Sequence, residues 1–248
     1  MTQLPKLAFS FSLEGQVWKT SMDEYSGVMA LEIRDQEQMS MHFKLLDLYR
    51  QTTSAPIHIN EADWWCSLRL FKDGYLFVEK YQDTNSPTKK DLLVFEISSQ
   101  QMLERFELSQ LISFDEGTLT IQSVESPDEV RDLKLKTNKK QEVNGSLLRP
   151  SYYDQESAGF ELVKELLSDQ SPELGCEYLE WKNFIIISYY IRSGKEFVRN
   201  LLLVKDENEW MDITIDKEIK GFAPGAFFLY NDLLVYIVEQ NKINAIKL

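Results

Sequence analysis

The 248-residue sequence has two cysteines, Cys66 and Cys176, and two histidines, His42 and His58. A secreted disulfide scaffold would carry more cysteines at closer spacing. Two reduced, buried thiols are therefore expected, with a single bridge as the alternative. The histidines lie sixteen residues apart, and neither has a Cys or His neighbour at ligand spacing. No metal site and no cofactor is expected from them. The H-E-x-x-H, C-x-x-C, P-loop, G-x-G-x-x-G and G-x-S-x-G motifs are all missing, so the commonest motif-based enzyme classes find no support. Positive charge is scarce: Lys and Arg number 27 against 40 Asp and Glu, for a net charge of -13. This argues against nucleic acid or an anionic membrane surface as the main partner, since both are polyanions. The longest apolar stretches, 184–191 and 226–238, fall short of the roughly 18 residues of a membrane helix, and Asn231-Asp232 splits the second. The opening MTQLPKLAFSFSLEGQ has one early lysine and an apolar run broken by serines, unlike a signal peptide. A cytoplasmic protein is expected.

What the sequence does hold is a succession of short strands. Segments 28–33, 75–81, 119–124, 184–191 and 233–238 are rich in β-branched and aromatic residues and too short for helices. Each follows a tight-turn signal: Tyr25-Ser26-Gly27, Lys72-Asp73-Gly74, Asp115-Glu116-Gly117, Lys182-Asn183 and Tyr230-Asn231-Asp232. Gly, Asn and Asp suit hairpin turns because they accept positive φ at low cost. Each hairpin is followed by a polar turn and a third strand, at 39–48, 91–97, 130–135, 197–204 or 243–248. A fourth is expected at 57–59, 102–108 and 210–215. The last turn residues fall at 27, 74, 117, 183 and 232, so the steps are 47, 43, 66 and 49. Three of these match a four-stranded propeller blade. The long step is accounted for by 152–167, where Phe160, Leu162, Val163, Leu166 and Leu167 follow a helical period between Pro150 and Pro172. One inserted helix is expected there, within 151–169.

The last unit has only three strands, while 7–13 forms an alternating strand with no unit of its own. Closing a ring with that strand removes open sheet edges. The expected fold is all-β: a single five-bladed β-propeller over 1–248, with the N-terminal strand completing the last blade. An irregular β-sandwich is the alternative. Blades ending in Trp-Asp and the paired glycines of kelch repeats are both lacking. The units Gly27-Val28-Met29-Ala30-Leu31-Glu32-Ile33-Arg34-Asp35 and Gly225-Ala226-Phe227-Phe228-Leu229-Tyr230-Asn231-Asp232-Leu233-Leu234-Val235-Tyr236-Ile237 resemble an uncharacterised domain-of-unknown-function group found in Bacteroidota. That resemblance implies no activity and no catalytic residues.

Likeness to five-bladed propellers as a group, some of which act on glycosides, directs attention to carboxylates at the starts of inner strands. Asp63 precedes Trp64-Trp65, and Glu177 precedes Tyr178. A sugar site needs rings to stack on sugar faces and acids to move protons. The competing reading makes the rings blade packing and the acids solvated turn residues. Trp18, Trp64, Trp181, Tyr178 and Tyr190 are expected in the core on the same ground. The small-residue stretch Gly221-Phe222-Ala223-Pro224-Gly225-Ala226 would let backbones crowd together, or let a ligand approach. Lys89-Lys90 and Lys139-Lys140 read as solvated turns. The inserted helix would sit over or beside the channel mouth, either plugging it or serving in binding; a mouth filled by Phe160 and Leu166 would favour an interaction module over a ligand site.

Two functions follow. The first is a non-catalytic interaction or scaffold module, with a basic protein as the fitting partner. The alternative is a binder or hydrolase of a small polar ligand or carbohydrate, with its site at the channel mouth around Asp63, Trp64, Glu177, Tyr178 and Arg192.

Overall fold

A computed structural model describes residues 6–83, 86–136, 145–167, 170–206 and 208–248, with the backbone alone at Glu209 and Trp210. The Lys139-Lys140 pair and residues 168–169 lie outside the described residues. The protein is all-β, with one helix among the described residues, and its strands form antiparallel sheets. The chain divides into two compact units, one of residues 13–145 and one of 1–12 with 146–248.

The first strand of the chain, β1 (Leu7–Ser12), belongs to the second unit. In unit 13–145, β2 (Gln16–Asp23), β3 (Val28–Asp35), β4 (Ser40–Asp47) and β5 (Thr52–Thr53) make one sheet in sequence order. The strands β6 (Cys66–Lys72), β7 (Tyr75–Tyr81), β8 (Lys90–Glu96) and β9 (Gln101–Phe106) make the next, and β10 (Ser109–Asp115), β11 (Thr118–Ser123) and β12 (Val130–Lys134) a third. The β6–β9 sheet is apolar on both faces. Leu76, Val78 and Leu93 pack with Ala30 and Phe43 of the preceding sheet, while Tyr75, Phe77 and Val94 pack with Phe114 and Leu119 of the following one. Alternation along β7 sends neighbouring side chains to opposite faces, so burial on both sides reads as an unbroken apolar run.

The second unit opens with β13 (Leu147–Leu148) and β14 (Ser151–Tyr153), then α1 (Ala158–Leu166) and β15 (Pro172–Trp181). It continues through β16 (Phe184–Ser193), β17 (Glu196–Lys205), β18 (Asn208–Ile219), β19 (Phe227–Tyr230), β20 (Leu233–Val238) and β21 (Lys242–Lys247). Its two sheets run β14-β15-β16-β17-β18 and β1-β21-β20-β19-β13. The expected pairing of the N-terminal strand with the last strand is present, with Phe9 opposite Ala245 and Phe11 opposite Ile243. The short partner β13 on the other side of that sheet was not expected.

One backbone bond recurs in all five sheets. The residue just past β4, β8, β12, β17 or β21 donates its N–H to the carbonyl of the hairpin-turn residue: Leu48 to Gly27, Ile97 to Gly74, Leu135 to Gly117, Asp206 to Asn183 and Leu248 to Asp232, at 2.9–3.1 Å. The acceptors are the five turn marks read from the sequence. At Asp73-Gly74 and Glu116-Gly117 both turn residues have positive φ, as a tight two-residue hairpin requires.

Two expectations change. The helix spans 158–166, and residues 151–153 are strand β14, paired with Cys176–Tyr178. The start is set by Ser157, whose Oγ accepts from the Phe160 N–H at 3.2 Å, satisfying one of the four free donors of a helix start. Tyr152 and Tyr153 then take the extended conformation aromatics favour. The helix lays Phe160 and Val163 on Cys176, Ile187, Tyr189 and Leu202 of its own sheet, and Leu166 is 48% exposed. Phe160 thus lies on a sheet face and Leu166 in solvent. The fourth strand of the first sheet, expected at 57–59, is instead β5, and Ile57 makes an isolated bridge to Phe43.

Candidate functional site

Period-two alternation on β3 puts Ala30, Glu32 and Arg34 on one face, toward β6. Ala30 is core, and Glu32 is fully buried. A buried carboxylate must be paired and hydrogen-bonded, and this one is. Its Oε1 accepts from Arg34 Nε at 2.7 Å and its Oε2 from the Leu68 N–H at 2.6 Å. Arg34 then donates to the Trp64 carbonyl at 3.1 Å and the Cys66 carbonyl at 2.6 Å. The pair fastens β3 to the start of the next sheet. Gly15 closes the approach from β2. Its φ is +113°, and a Cβ there would lie 2.6 Å from the Arg34 carbonyl oxygen.

The Arg34 guanidinium lies 4.8 Å from the Trp18 ring centre and 5.0 Å from that of Trp64, within cation–π range. These rings, with Trp65, Tyr81 and Lys19, line a cavity of about 340 Å³. Trp18 is 48% and Trp65 47% exposed. The expectation that Trp18 and Trp64 are core therefore fails for Trp18 and holds only in part for half-buried Trp64. Large apolar rings left in solvent beside a cavity are the usual mark of a recognition surface.

Asp63 is exposed and does not line this cavity. Its Oδ1 accepts from the Trp65 N–H at 2.9 Å, and its Oδ2 pairs with Lys80 at 2.9 Å. Burial pushes its carboxyl up, but the bonds from Lys80 and Trp65 and the Lys80 charge outweigh that and hold it below the ordinary carboxylate range. It therefore acts as a turn residue that aims Trp64 and Trp65.

The other expected residues lie in the second unit. Glu177 is buried, and its oxygens accept from the Gly225 N–H at 2.6 Å and the Ala226 N–H at 3.1 Å. Close by, Arg199 pairs with Asp216 and donates to the Ala223 carbonyl at 2.7 Å. The Tyr190 hydroxyl donates to that carbonyl at 2.8 Å and accepts the Ala223 N–H at 3.1 Å. The small-residue stretch 221–226 is thus approached by protein side chains. Half-buried Tyr178 donates to Glu180. Arg192 is exposed, bonded to Glu173 at 2.6 Å and laid 4.7 Å from the Phe197 ring centre. That bond holds Glu173 below the usual carboxylate range. Glu177, Tyr178 and Arg192 each have their own local partners. Sequence reasoning missed Glu32 and Arg34, although two charged residues at alternate positions of an otherwise apolar strand were a signal.

Residues 22–103 match the family model of a domain of unknown function, DUF4905. The DUF4905 span includes Glu32, Arg34, Asp63, Trp64 and both histidines, and leaves out Trp18. No curated protein matches the chain. Among solved structures, a member of the DUF4221 family from Bacteroides vulgatus is similar over all of this chain and 98% of its own, at 9% identity and TM-score 0.39. The β-propeller domain of the Trilobed protease from Pyrococcus furiosus is similar over 91% of this chain and 78% of its own, at 12% identity and TM-score 0.30. A bifunctional GH43-CE protein of Bacteroides eggerthii is similar over 98% of this chain and 34% of its own, at 10% identity and TM-score 0.33. At such identities no activity transfers from these neighbours.

Proposed function

We propose that the protein is a non-catalytic binding module whose recognition surface is the aromatic cavity of Trp18, Trp64, Trp65 and Tyr81. The observation that carries this reading is the contrast between engaged acids and exposed rings. Glu32, Asp63 and Glu177 each have their oxygens committed to backbone N–H groups or cations, which leaves no poised general acid or base there. Trp18 and Trp65, by contrast, stand about half in solvent. Flat aromatic walls favour a ligand with an apolar face and a polar rim, a sugar ring above all. A basic protein that inserts such a group would fit the net charge of -13. Free, buried thiols at Cys66 and Cys176 accord with a reducing, cytoplasmic setting. Among the described residues, no helix is long and apolar enough to cross a membrane.

The test is tryptophan fluorescence and thermal shift across a panel of oligosaccharides and basic peptides. A binder should quench and stabilise wild type, lose most of both effects in Trp65→Ala, and keep them in Tyr178→Phe. A ligand that binds Trp65→Ala and Trp18→Ala as well as wild type would place recognition elsewhere.

We further infer that the five sheets are the blades of one propeller spanning 1–248. The recurring turn bond, one per sheet, and the β1–β21 pairing support this. A compact chain of this length should scatter X-rays with a radius of gyration of about 18 Å and unfold in one transition. Two separate transitions would refute the single ring.

A further inference from the structure

The two histidines, sixteen residues apart in sequence, are brought together by strand pairing. Phe43 and Ile57 exchange both backbone bonds, at 3.0 and 2.8 Å, in an antiparallel bridge. The next pair outward is His42 and His58, directly opposed in the non-hydrogen-bonded position, where strands approach most closely and side chains share a face. Their ring centres are 5.6 Å apart with planes at 41°. His42 Nε2 is buried and has no hydrogen-bond partner, while His58 is exposed. A buried ring nitrogen without a partner forgoes a bond worth making. The pair therefore has one inner, unsatisfied ligand atom and one outer ligand open to solvent.

We propose that His42 and His58 form a two-imidazole chelate for a divalent late first-row transition ion. With metal–nitrogen bonds of ~2.0–2.1 Å and tetrahedral geometry, two coordinated rings have centres roughly 5 Å apart, close to the 5.6 Å between these rings. Imidazole selects Cu(II), Ni(II) and Zn(II) over Mg²⁺ and Ca²⁺, and the general affinity order puts Cu(II) first. Among the described residues, no cluster of three or more His, Cys, Asp and Glu could hold a metal, so water fills the remaining positions and the ion exchanges readily. Burial, His58 and Lys44 disfavour positive charge at His42, and Glu14 favours it. The bound ion would staple segment 57–59 to β4. The inference is independent of the aromatic cavity and of ring closure.

The experiment is a titration of the full, untagged chain with Cu(II) against a glycine competitor, read by calorimetry and electron paramagnetic resonance. One ion per chain with two-nitrogen coordination is expected, together with a rise in Tm on adding Zn(II). His58→Ala should weaken Cu(II) at least tenfold, leave a one-nitrogen spectrum and abolish the Zn(II) shift. Because His58 is exposed, that variant keeps its fold, checked by circular dichroism. Equal Cu(II) affinity in wild type and His58→Ala, or an unchanged spectrum, would overturn the proposal.

Discussion

Both units bury a carboxylate to hold the backbone that leads into the next sheet, and they finish the job differently. In unit 13–145, Glu32 takes the Leu68 N–H while its partner Arg34 takes the carbonyls of Trp64 and Cys66. In the other unit, Glu177 takes the N–H groups of Gly225 and Ala226 while Arg199 takes the Ala223 carbonyl. The device is the same: acid to N–H, guanidinium to C=O, across one sheet-to-sheet crossing. The covers differ. Phe222 closes the second crossing, its ring centre 4.3 Å from that of Tyr152 and 5.4 Å from that of Tyr190. The first is left under Trp18 and Trp64 beside an open cavity. A buried charge by itself therefore marks construction. An exposed aromatic cover marks the place where construction could be put to use.

Removing the acids should rank the two crossings. Glu32→Ala leaves Arg34 buried without its anion and Leu68 without an acceptor, and should cost about 3–5 kcal/mol, the range for breaking one side of a buried pair. Glu32→Gln keeps an acceptor and should recover part of the loss. Glu177→Ala orphans two backbone donors but leaves Arg199 its Asp216, so about 2–3 kcal/mol is expected from the penalty for unmade buried bonds. Urea denaturation of the three variants checks the order. A Glu177→Ala loss larger than that of Glu32→Ala would mean that the second crossing, not the first, carries the greater strain of buried charge.

What the sequence made legible was the repeat: turn residues 27, 74, 117, 183 and 232 all accept the same bond, because a tight turn demands residue types that print themselves locally. The return of β1 to β21 was legible too, as a surplus at one end and a deficit at the other. Features set by distant partners were not. Nothing near Glu177 announced that Gly225 would be its donor. Third and fourth strands were read at 39–48 and 57–59, but nothing in the spacing of His42 and His58 gave the register that pairs Phe43 with Ile57. Asp63 adjoins Trp64 and Trp65 in the chain, but its distant partner Lys80, which occupies it, was invisible. The helix start was misplaced by six residues: the helical period begins only at Phe160, and Tyr152 and Tyr153, ahead of the Ser157 cap, pair as a strand.

The cysteines compare the units on a smaller scale. Burial pushes the Cys66 thiol up to about 11 and the Cys176 thiol to about 12. Both should stay protonated at neutral pH and resist iodoacetamide in the native state, then react quickly in denaturant. Because the folded protein holds these protons more tightly than the unfolded chain, stability should be unaffected below the ordinary thiol range and fall as pH climbs from about 9 toward 11. A thiol labelled at pH 8 without unfolding would show that its unit opens locally.

The smallest effect belongs to Arg192. It was expected in a binding site, yet its guanidinium is exposed and satisfied by Glu173 and the Phe197 ring. An exposed ion pair gains little, since solvent and salt screen it and two long side chains lose freedom to form it. Arg192→Ala should therefore leave Tm unchanged within error at both low and high salt, and should leave any ligand found for Trp18 and Trp65 bound as before. Lost binding with an unchanged Tm would return Arg192 to the recognition surface, and the aromatic cavity could then no longer account for recognition by itself.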